Sequence, residues 1–376
     1  MKVQSFTPPQ RILMGAGPSD IHPRVLAALS RPTIGHLDPE FIRLMDEVKE
    51  MLQASFFTEN ALTLPISAPG SAGMEAAFAN LLEPGDKVVV CVNGVFGQRM
   101  AANAVRMGCE VALVEEEWGK AVDPQKVADT LARHQDAKVL AFVHAETSTG
   151  AASDAQTLCR LAGEHGCLSL VDAVTSWCGM PVLADDWQAD VVYSGTQKCL
   201  SCVSGLSPIT FSERARQAIL ERRHPIQSWF LDMQLVMGYW QEGEQRVYHH
   251  TAPINALFAL HEALVMLLEE GLEQSWARHW AMHERLRDGL ESLGLELMVE
   301  PAARLPMLNV VKIPEGVDDA RVRSLMLEDF GLEISAGLGP MKGKIWRIGL
   351  MGNGCRPDHV DRCLEALSAS LSKARR

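Results

Sequence analysis

The chain has 376 residues, of which 47% are hydrophobic and 22% are charged, and its formal net charge at pH 7 is −12. This composition is typical of a globular protein with a sizeable core, and no cluster of Lys and Arg is dense enough to bind nucleic acid or an anionic membrane. The sequence shows no signal-peptide pattern and no apolar run as long as a membrane span, and its nine scattered cysteines suit a reducing compartment. These features predict a cytoplasmic protein.

From about residue 66 to residue 212, apolar β-branched runs alternate with stretches of helical spacing. The runs predict strands at 87–92, 110–114, 138–144, 167–171, 191–193 and 206–211, and the intervening stretches predict helices at 74–82, 98–107, 124–133 and 154–165. This alternation predicts an α/β fold with a mostly parallel sheet between helices. Ligands of such sheets bind at the carboxyl ends of the strands.

The pattern changes after Thr251. Helical spacing continues from Pro253 to about residue 293 with one interruption at Gly271, and short candidate strands, a helix and a closing helix from Pro357 follow. We therefore predict a large domain at residues 17–271 and a smaller α+β domain at residues 272–376, with residues 1–16 packing near the smaller one.

Two charged residues follow apolar runs of the predicted sheet. Asp172 follows the run at 168–171, and Lys198 comes after the run at 190–193 and a small polar turn. A lysine whose pKa is lowered can attack a carbonyl and form an imine, whereas a buried carboxylate needs a cationic or hydrogen-bonding partner. The protonated pyridine nitrogen of pyridoxal 5'-phosphate would be such a partner, and Asp172 would keep it protonated. Alternatively, Lys198 is a surface residue and Asp172 is a helix N-cap.

A possible phosphate site and a possible stacking residue come earlier in the chain. Gly70 and Ser71 precede a helix predicted to begin near Ala72, and free N–H groups at a helix start bind anions. The same residues would also suit an ordinary helix N-terminus. Phe96 could stack on the pyridine ring, or it could be a core residue.

Together these segments resemble the class V, fold-type I aminotransferases that use pyridoxal phosphate, in particular the alanine–glyoxylate and serine–glyoxylate (or serine–pyruvate) group. The resemblance covers nearly the whole chain. It rests most strongly on "YSGTQK", which contains Lys198, and on "RIGLMG", which contains Arg347, with support from "GAGPS", "NGVFGQR", "ETSTG", "VDAV" and "YHHTAP".

The resemblance implies a role for each matching residue. Lys198 would hold the cofactor and carry the substrate proton, and Asp172 would pair with the pyridine nitrogen. Arg347 would bind the substrate carboxylate, with Gly17 beside the substrate. The other cofactor contacts would come from Gly70, Ser71, Ala72, Phe96, Thr147, Val174 and Gln197, and from Tyr248 and Thr251 of a neighbouring subunit. These shared sites imply a homodimer.

The implied reaction is a ping-pong transfer of the amino group of serine or alanine to a 2-oxo acid such as glyoxylate. Alternatives are a ureidoglycine–glyoxylate or 2-aminoethylphosphonate–pyruvate aminotransferase, or a lyase of the cysteine desulfurase type. The chain departs from the family at Phe96, often a tryptophan, and at Pro69, which lacks a donor for the phosphate.

His279 and His283 have the spacing of a metal pair, but with no third ligand evident we predict two histidines on a solvent-facing helix surface and no metal site.

Overall fold

The structure, a computed structural model, describes residues 3–240 and 246–374. Its strands are β1 (Ile12–Leu13), β2 (Leu62–Ile66), β3 (Lys87–Val92), β4 (Glu110–Glu115), β5 (Ala137–Val143), β6 (Ala145–Glu146), β7 (Ala151–Ala152), β8 (Leu168–Asp172), β9 (Val191–Tyr193), β10 (Ser207–Phe211), β11 (Leu308–Lys312), β12 (Leu332–Glu333), β13 (Ser335–Ala336) and β14 (Ile345–Gly349). Its α-helices are α1 (Pro23–Leu29), α2 (Pro39–Phe56), α3 (Gly70–Leu81), α4 (Val95–Arg106), α5 (Pro124–Arg133), α6 (Ala155–Glu164), α7 (Glu213–Leu220), α8 (Met233–Trp240), α9 (Ile254–Glu270), α10 (Leu272–Ser292), α11 (Asp319–Phe330) and α12 (Pro357–Ala374).

A seven-stranded sheet with the order β2-β10-β9-β8-β5-β3-β4 forms the centre of the molecule. β4, β3, β5, β8 and β9 pair in parallel, whereas β10 is antiparallel to both of its neighbours. Strands such as β3, "KVVVCV", are buried along nearly their whole length because elements cover both faces of the sheet. The α/β class and the mostly parallel sheet predicted from the sequence are thus confirmed.

The parallel register brings the predicted charged residues to one edge of the sheet. Asp172 is the last residue of β8 and pairs with Tyr193, the last residue of the neighbouring β9. Lys198 lies five residues beyond the end of β9, in the turn that leads towards β10. Because parallel strands end on the same side, both residues lie at the edge where ligands bind in this class of sheet.

Besides a minor group of Ala151, Val299 and Ala303, two main clusters of buried apolar side chains fill the interior of the described residues. The larger one surrounds the seven-stranded sheet, and the smaller one is formed by α10, α11, α12 and the three-stranded sheet β11-β14-β13. The amino-terminal segment joins both regions, since β1 pairs in parallel with β12 and Met14 lies in the smaller cluster, whereas Ala16 lies in the larger one. The division at residues 271 and 272 stays a prediction. Of the helices in the described ranges, none combines the length and apolar character needed to cross a membrane.

Candidate active site

A cavity lies at the carboxyl ends of the parallel strands. It contains most of the residues that the sequence predicted for the cofactor, together with others that it did not. Its lining residues are Pro69, Gly70, Ser71, Met74, Phe96, Arg99, Asp172, Val174, Tyr193, Gln197 and Lys198. The chain therefore brings together, from the starts of α3 and α4 and the ends of β8 and β9, the groups expected to act on one ligand.

Asp172 forms the buried floor of this cavity. Its Oδ1 accepts a hydrogen bond from the Val174 backbone N–H (2.9 Å) and its Oδ2 accepts one from the Tyr193 hydroxyl (2.6 Å). Burial raises the pKa of Asp172 to about 6, although these two donors and Lys198 lower it and Glu146 raises it further. A carboxylate that is desolvated to this extent favours a cationic partner, such as a protonated ring nitrogen.

Lys198 is 8% exposed, and its Nζ donates a hydrogen bond to the Ala16 carbonyl. Burial, together with the positive charge of Arg347, lowers the pKa of this amine to about 8 against the opposing effects of Cys199 and Asp172, so more of the nucleophilic neutral form is present than for an ordinary lysine. Gly17 packs directly on this side chain. A Cβ atom there would lie 2.7 Å from both Cδ and Nζ of Lys198, and the backbone has a φ of +95°. Because Gly17 has no side chain, it leaves room for the side chain of Lys198.

The predicted phosphate-binding residues lie at the start of α3. This helix begins at Gly70, two residues before the predicted start, and Pro69 is its N-cap without a side-chain hydrogen bond. The Ala72 N–H donates to the Pro69 carbonyl (2.7 Å), whereas the N–H groups of Gly70 and Ser71 have no acceptor within residues 3–240 and 246–374. Two helix N–H groups without an acceptor form an anion site.

Phe96 lies in the first turn of α4, and Arg99 lies one turn later. The Arg99 guanidinium is 4.9 Å from the centre of the Phe96 ring and donates to the Ser71 hydroxyl (3.1 Å). Arg99 and Lys198 are the cations that line the cavity in the described part of the chain. The sequence analysis missed Arg99, although its position in "NGVFGQR", on the same helix face as Phe96, would have indicated it.

Arg347 lies on β14, near the carboxyl end of the sequence, and its side chain is buried. Its Nε donates to the Ala336 carbonyl (2.9 Å) and its Nη1 donates to the Thr147 carbonyl (3.1 Å). The Thr147 hydroxyl shares a hydrogen bond with the Thr175 hydroxyl. Within the described residues Nη2 of Arg347 has no acceptor, so this guanidinium can still bind a carboxylate.

Tyr248 and Thr251 do not line the cavity of their own chain. Their hydroxyls share a hydrogen bond (3.3 Å), and the Tyr248 side chain is 54% exposed. Since neither residue lines the cavity of Lys198 and Asp172, a role at the phosphate would require a second subunit.

The prediction for His279 and His283 was wrong in one respect, because both are buried. His279 Nδ1 bonds the Ser275 carbonyl (2.6 Å) and its Nε2 accepts from the Gly352 N–H (3.1 Å), while His283 Nδ1 bonds Asn309 (2.6 Å). These ring nitrogens already have hydrogen-bond partners within α10 and in the segments packed against it. No group of three potential metal ligands occurs in the ranges that the structure describes.

The donor set of the cavity fits pyridoxal phosphate. A buried carboxylate suits the pyridine nitrogen, a lysine with a lowered pKa suits the aldehyde, and the N–H groups at the α3 N-terminus suit the phosphate. Within the described residues the buried Oε1 of the Gln197 carboxamide has no hydrogen-bond partner, so it can accept from a ligand donor, whereas a phosphate would need the Nε2 of the same amide. Gly70 also keeps the cavity open, since a Cβ atom there would lie 3.2 Å from Val174.

Comparison with known proteins agrees with this geometry. Residues 13–349 match the family described as Aminotransferase class-V. The alanine–glyoxylate aminotransferase of Oryctolagus cuniculus is 41% identical over 96% of this chain and 93% of the relative. The crystal structure of an alanine–glyoxylate aminotransferase from Nostoc sp. superimposes with a TM-score of 0.96 at 44% identity, covering 99% and 98% of the two chains.

A second solved structure is almost equally similar. The ureidoglycine–glyoxylate aminotransferase of Bacillus subtilis superimposes with a TM-score of 0.97 at 38% identity, covering 99% of this chain and 96% of that one. Both structures share the fold-type I architecture seen here. The chain therefore belongs to the class V aminotransferases and is a transaminase that depends on pyridoxal phosphate.

Proposed function

We propose that this enzyme transfers the amino group of a small, uncharged amino acid, serine or alanine, to glyoxylate. Arg347 is the central observation, because its positive charge acts on Lys198 and its Nη2 has no acceptor within the described residues. Arg323, which lines the same pocket as Arg347, is paired through Nε and Nη2 with both oxygens of Asp319. Because Asp319 neutralises Arg323 and Arg99 is assigned to the cofactor phosphate, a donor with a negatively charged side chain is disfavoured.

The choice of glyoxylate is supported by the relatives. The similar proteins from Oryctolagus cuniculus, Nostoc sp. and Bacillus subtilis carry names that share this acceptor, although their named donors differ. The acceptor is thus better supported than the donor, and ureidoglycine is the second candidate donor.

Each lining group has a proposed place around the cofactor. Asp172 would pair with the pyridine nitrogen, and Val174 and Phe96 would pack on the ring. Thr147 would contact the phenolic oxygen, and Lys198 would bind the aldehyde. The phosphate would be held by Gly70, Ser71, Gln197 and Arg99. Ala72, also predicted from the sequence, does not line the cavity, and its N–H is engaged by the Pro69 carbonyl. When bound, pyridoxal phosphate supplies the aldehyde that takes up the amino group and the ring that stores the electrons of the broken Cα–H bond.

Lys198 is the proposed carrier of the proton. With the cofactor in place, Nζ of Lys198 would take the proton from the substrate α-carbon and hold it for return within the same site. A pKa of about 8 suits both steps, because the amine can lose and regain a proton near neutral pH. Arg347 and Gly17 hold the substrate beside Nζ, so that the α-hydrogen faces the base.

We further propose a homodimer with shared active sites. The exposed Tyr248 belongs to an aromatic surface that also contains Trp229, which is 61% exposed and stacks on His249 with ring centres 4.3 Å apart. Exposed aromatic groups of this kind are typical of protein interfaces. In the dimer Tyr248 and Thr251 reach the cofactor phosphate of the neighbouring subunit.

The cytoplasmic location predicted from the sequence is also a proposal. All nine cysteines are free thiols, as expected in a reducing compartment. Cell fractionation with an antibody against the protein would test it.

The lyase alternative has less support. A desulfurase needs a nucleophilic cysteine near the substrate, and Cys199, next to the lysine, is buried and has a pKa raised by that burial. The 2-aminoethylphosphonate alternative is disfavoured by Arg347, whose planar guanidinium suits a carboxylate.

The test is a titration of the yellow holoenzyme, followed by its visible absorbance, with serine, alanine, ureidoglycine and aspartate in the absence of an acceptor. A preferred donor should convert the enzyme to its pyridoxamine form, and glyoxylate should restore the original band. Restoration by pyruvate but not glyoxylate would contradict the proposed acceptor. Release of pyruvate and ammonia from serine would favour the lyase. A Lys198→Ala variant, which keeps the cavity but lacks the amine, should bind donor without turning over.

A further inference from the structure

Glu146 is a fully buried carboxylate beside the active site to which neither the sequence analysis nor the proposed mechanism gives a role. It ends β6, and its exposed fraction is 0%. Burial raises its pKa, which hydrogen bonds from Ser148, Gly97 and Phe96 lower. No salt bridge joins it to a cation in the described residues, so its direct contacts are with hydrogen-bond donors. Burying a carboxylate in this way is costly unless every donor is well placed.

Those donors belong to the start of α4. Oε2 of Glu146 accepts from the backbone N–H groups of Phe96 (3.1 Å) and Gly97 (3.2 Å). Oε1 accepts from the backbone N–H (3.0 Å) and hydroxyl (2.6 Å) of Ser148, and the same hydroxyl accepts from the Val95 N–H (2.9 Å). Glu146 and Ser148 thus satisfy three consecutive N–H groups that a helix start leaves free.

This cap replaces the usual local one. The N-cap of α4 is Gly94, which has no side chain to offer, and a Cβ atom there would overlap Glu146 and Ser148. The negative charge also lies at the positive end of the helix dipole. The direction in which α4 presents Phe96 is therefore fixed by a residue fifty positions away in the chain.

The same segment reaches the substrate side of the site. Thr147, between Glu146 and Ser148, accepts the hydrogen bond from Arg347 Nη1 through its carbonyl (3.1 Å). The charge of Glu146 also acts on its surroundings, because it raises the pKa of Asp172 and favours the charged form of Arg347. One carboxylate is thus connected to the proposed stacking residue and to the proposed carboxylate receptor.

We propose that Glu146 is a positioning residue that holds Phe96 against the cofactor ring and the Thr147 carbonyl against Arg347. This inference rests on the roles proposed above for Phe96 and Arg347. It implies that cofactor stacking and substrate binding weaken together when the carboxylate is lost.

The test is the Glu146→Gln variant, which keeps the shape but replaces one acceptor oxygen by an NH2 group that opposes its former donors. The dissociation constant of pyridoxal phosphate from the apoenzyme should rise by about tenfold or more, since hydrogen bonds to charged groups are among the stronger ones. The circular dichroism of the bound cofactor should weaken as the ring loses its fixed orientation. The KM for the amino donor should rise more than kcat falls.

A matched control is Asp154→Asn. Asp154 also accepts a backbone N–H (3.1 Å) and a hydroxyl (2.6 Å), both from Thr157 at the start of α6, but it lies away from the cavity. This variant loses a helix cap and should leave cofactor binding and its dichroism unchanged. If both variants weaken cofactor binding equally, the effect is general destabilisation and the proposal fails.

A double-mutant cycle tests whether Glu146 acts through Phe96. In a Phe96→Leu background the Glu146→Gln change should have little further effect on cofactor affinity, whereas a full additive loss would overturn the proposal. If Glu146→Gln does not fold, the milder Ser148→Ala variant, which removes the Val95 contact, can be used instead. It should also weaken cofactor binding. Unchanged cofactor binding in this variant would overturn the proposal. Cofactor binding requires no substrate, so a wrong donor or acceptor would leave these measurements intact.

Discussion

Removing the Tyr193 hydroxyl should make cofactor binding sensitive to pH in a predictable way. The hydroxyl donates to Oδ2 of Asp172 (2.6 Å), and both side chains are buried. The Tyr193→Phe substitution deletes this donor and leaves the ring in place. The Val174 N–H then remains as the backbone donor to the carboxylate.

The size of the effect follows from the hydrogen bond that is lost. The tyrosine bond favours the charged carboxylate, so its loss raises the pKa of Asp172 from its value of about 6. A hydrogen bond to a charged group contributes about 1.5–3 kcal/mol, and one pKa unit corresponds to about 1.4 kcal/mol, which gives an increase of about one to two units. At neutral pH most of the variant's Asp172 would then be protonated in the apoenzyme and unable to pair with a protonated pyridine.

The assay is the dissociation constant of pyridoxal phosphate from the apoenzyme, measured from mildly acidic to mildly alkaline pH. Affinity should decline on acidification in both proteins, but in Tyr193→Phe the midpoint of this decline should lie about one to two units higher. The ionisations of the cofactor itself and of Lys198 are common to both proteins, so the difference between the curves reports Asp172. Tyr239→Phe is the control, because that hydroxyl donates to the His36 carbonyl (3.2 Å) outside the cavity. Coinciding midpoints for wild type and Tyr193→Phe would refute the reasoning.

Two further predictions concern Lys198 and the phosphate. Gly17→Ala should displace the Lys198 side chain, because the new Cβ would lie 2.7 Å from its Nζ in a backbone conformation with a φ of +95°. It should therefore abolish the yellow band of the bound cofactor, while Gly163→Ala, which meets no atom within 4 Å, keeps it. Arg99→Gln should weaken binding of pyridoxal phosphate but not of pyridoxal, which lacks the phosphate, and Arg106→Gln on the last turn of the same helix should change neither. An equal loss for both ligands would show that Arg99 does not act on the phosphate.

The central sheet was predictable because its signal is local. Strands buried on both faces read as continuous apolar runs, and the predicted strands 87–92 and 191–193 agree with β3 and β9 at both ends. The helix α2 was missed, although Asp38 caps it and its apolar residues recur at helical spacing. The start of α3 was placed two residues late, because Pro69 as N-cap lacks the side chain that usually marks that position.

The partners of the predicted residues were not predictable from the pattern. Tyr193 reads as one more apolar residue of a buried strand, and only the pairing of β8 with β9 places its hydroxyl beside Asp172. Glu146 reads as a polar residue after a strand, and its contacts with Phe96 and Gly97 depend on how α4 packs beside β6. Hydrogen bonds between distant segments leave no periodic signal in a single sequence.

The fold class and the available chemical groups could be read from the residues alone, because strand ends and motifs are local features. The order of the strands was sufficient to bring Asp172 and Lys198 to one edge of the sheet. Only the tertiary structure decided how those groups behave. Burial raises the pKa of Asp172 and lowers that of Lys198, and the packing of β14 brings Arg347 to a carbonyl two hundred residues away. The physical reason is that desolvation and long-range contacts depend on what surrounds a side chain in space, which the order of residues along the chain does not specify.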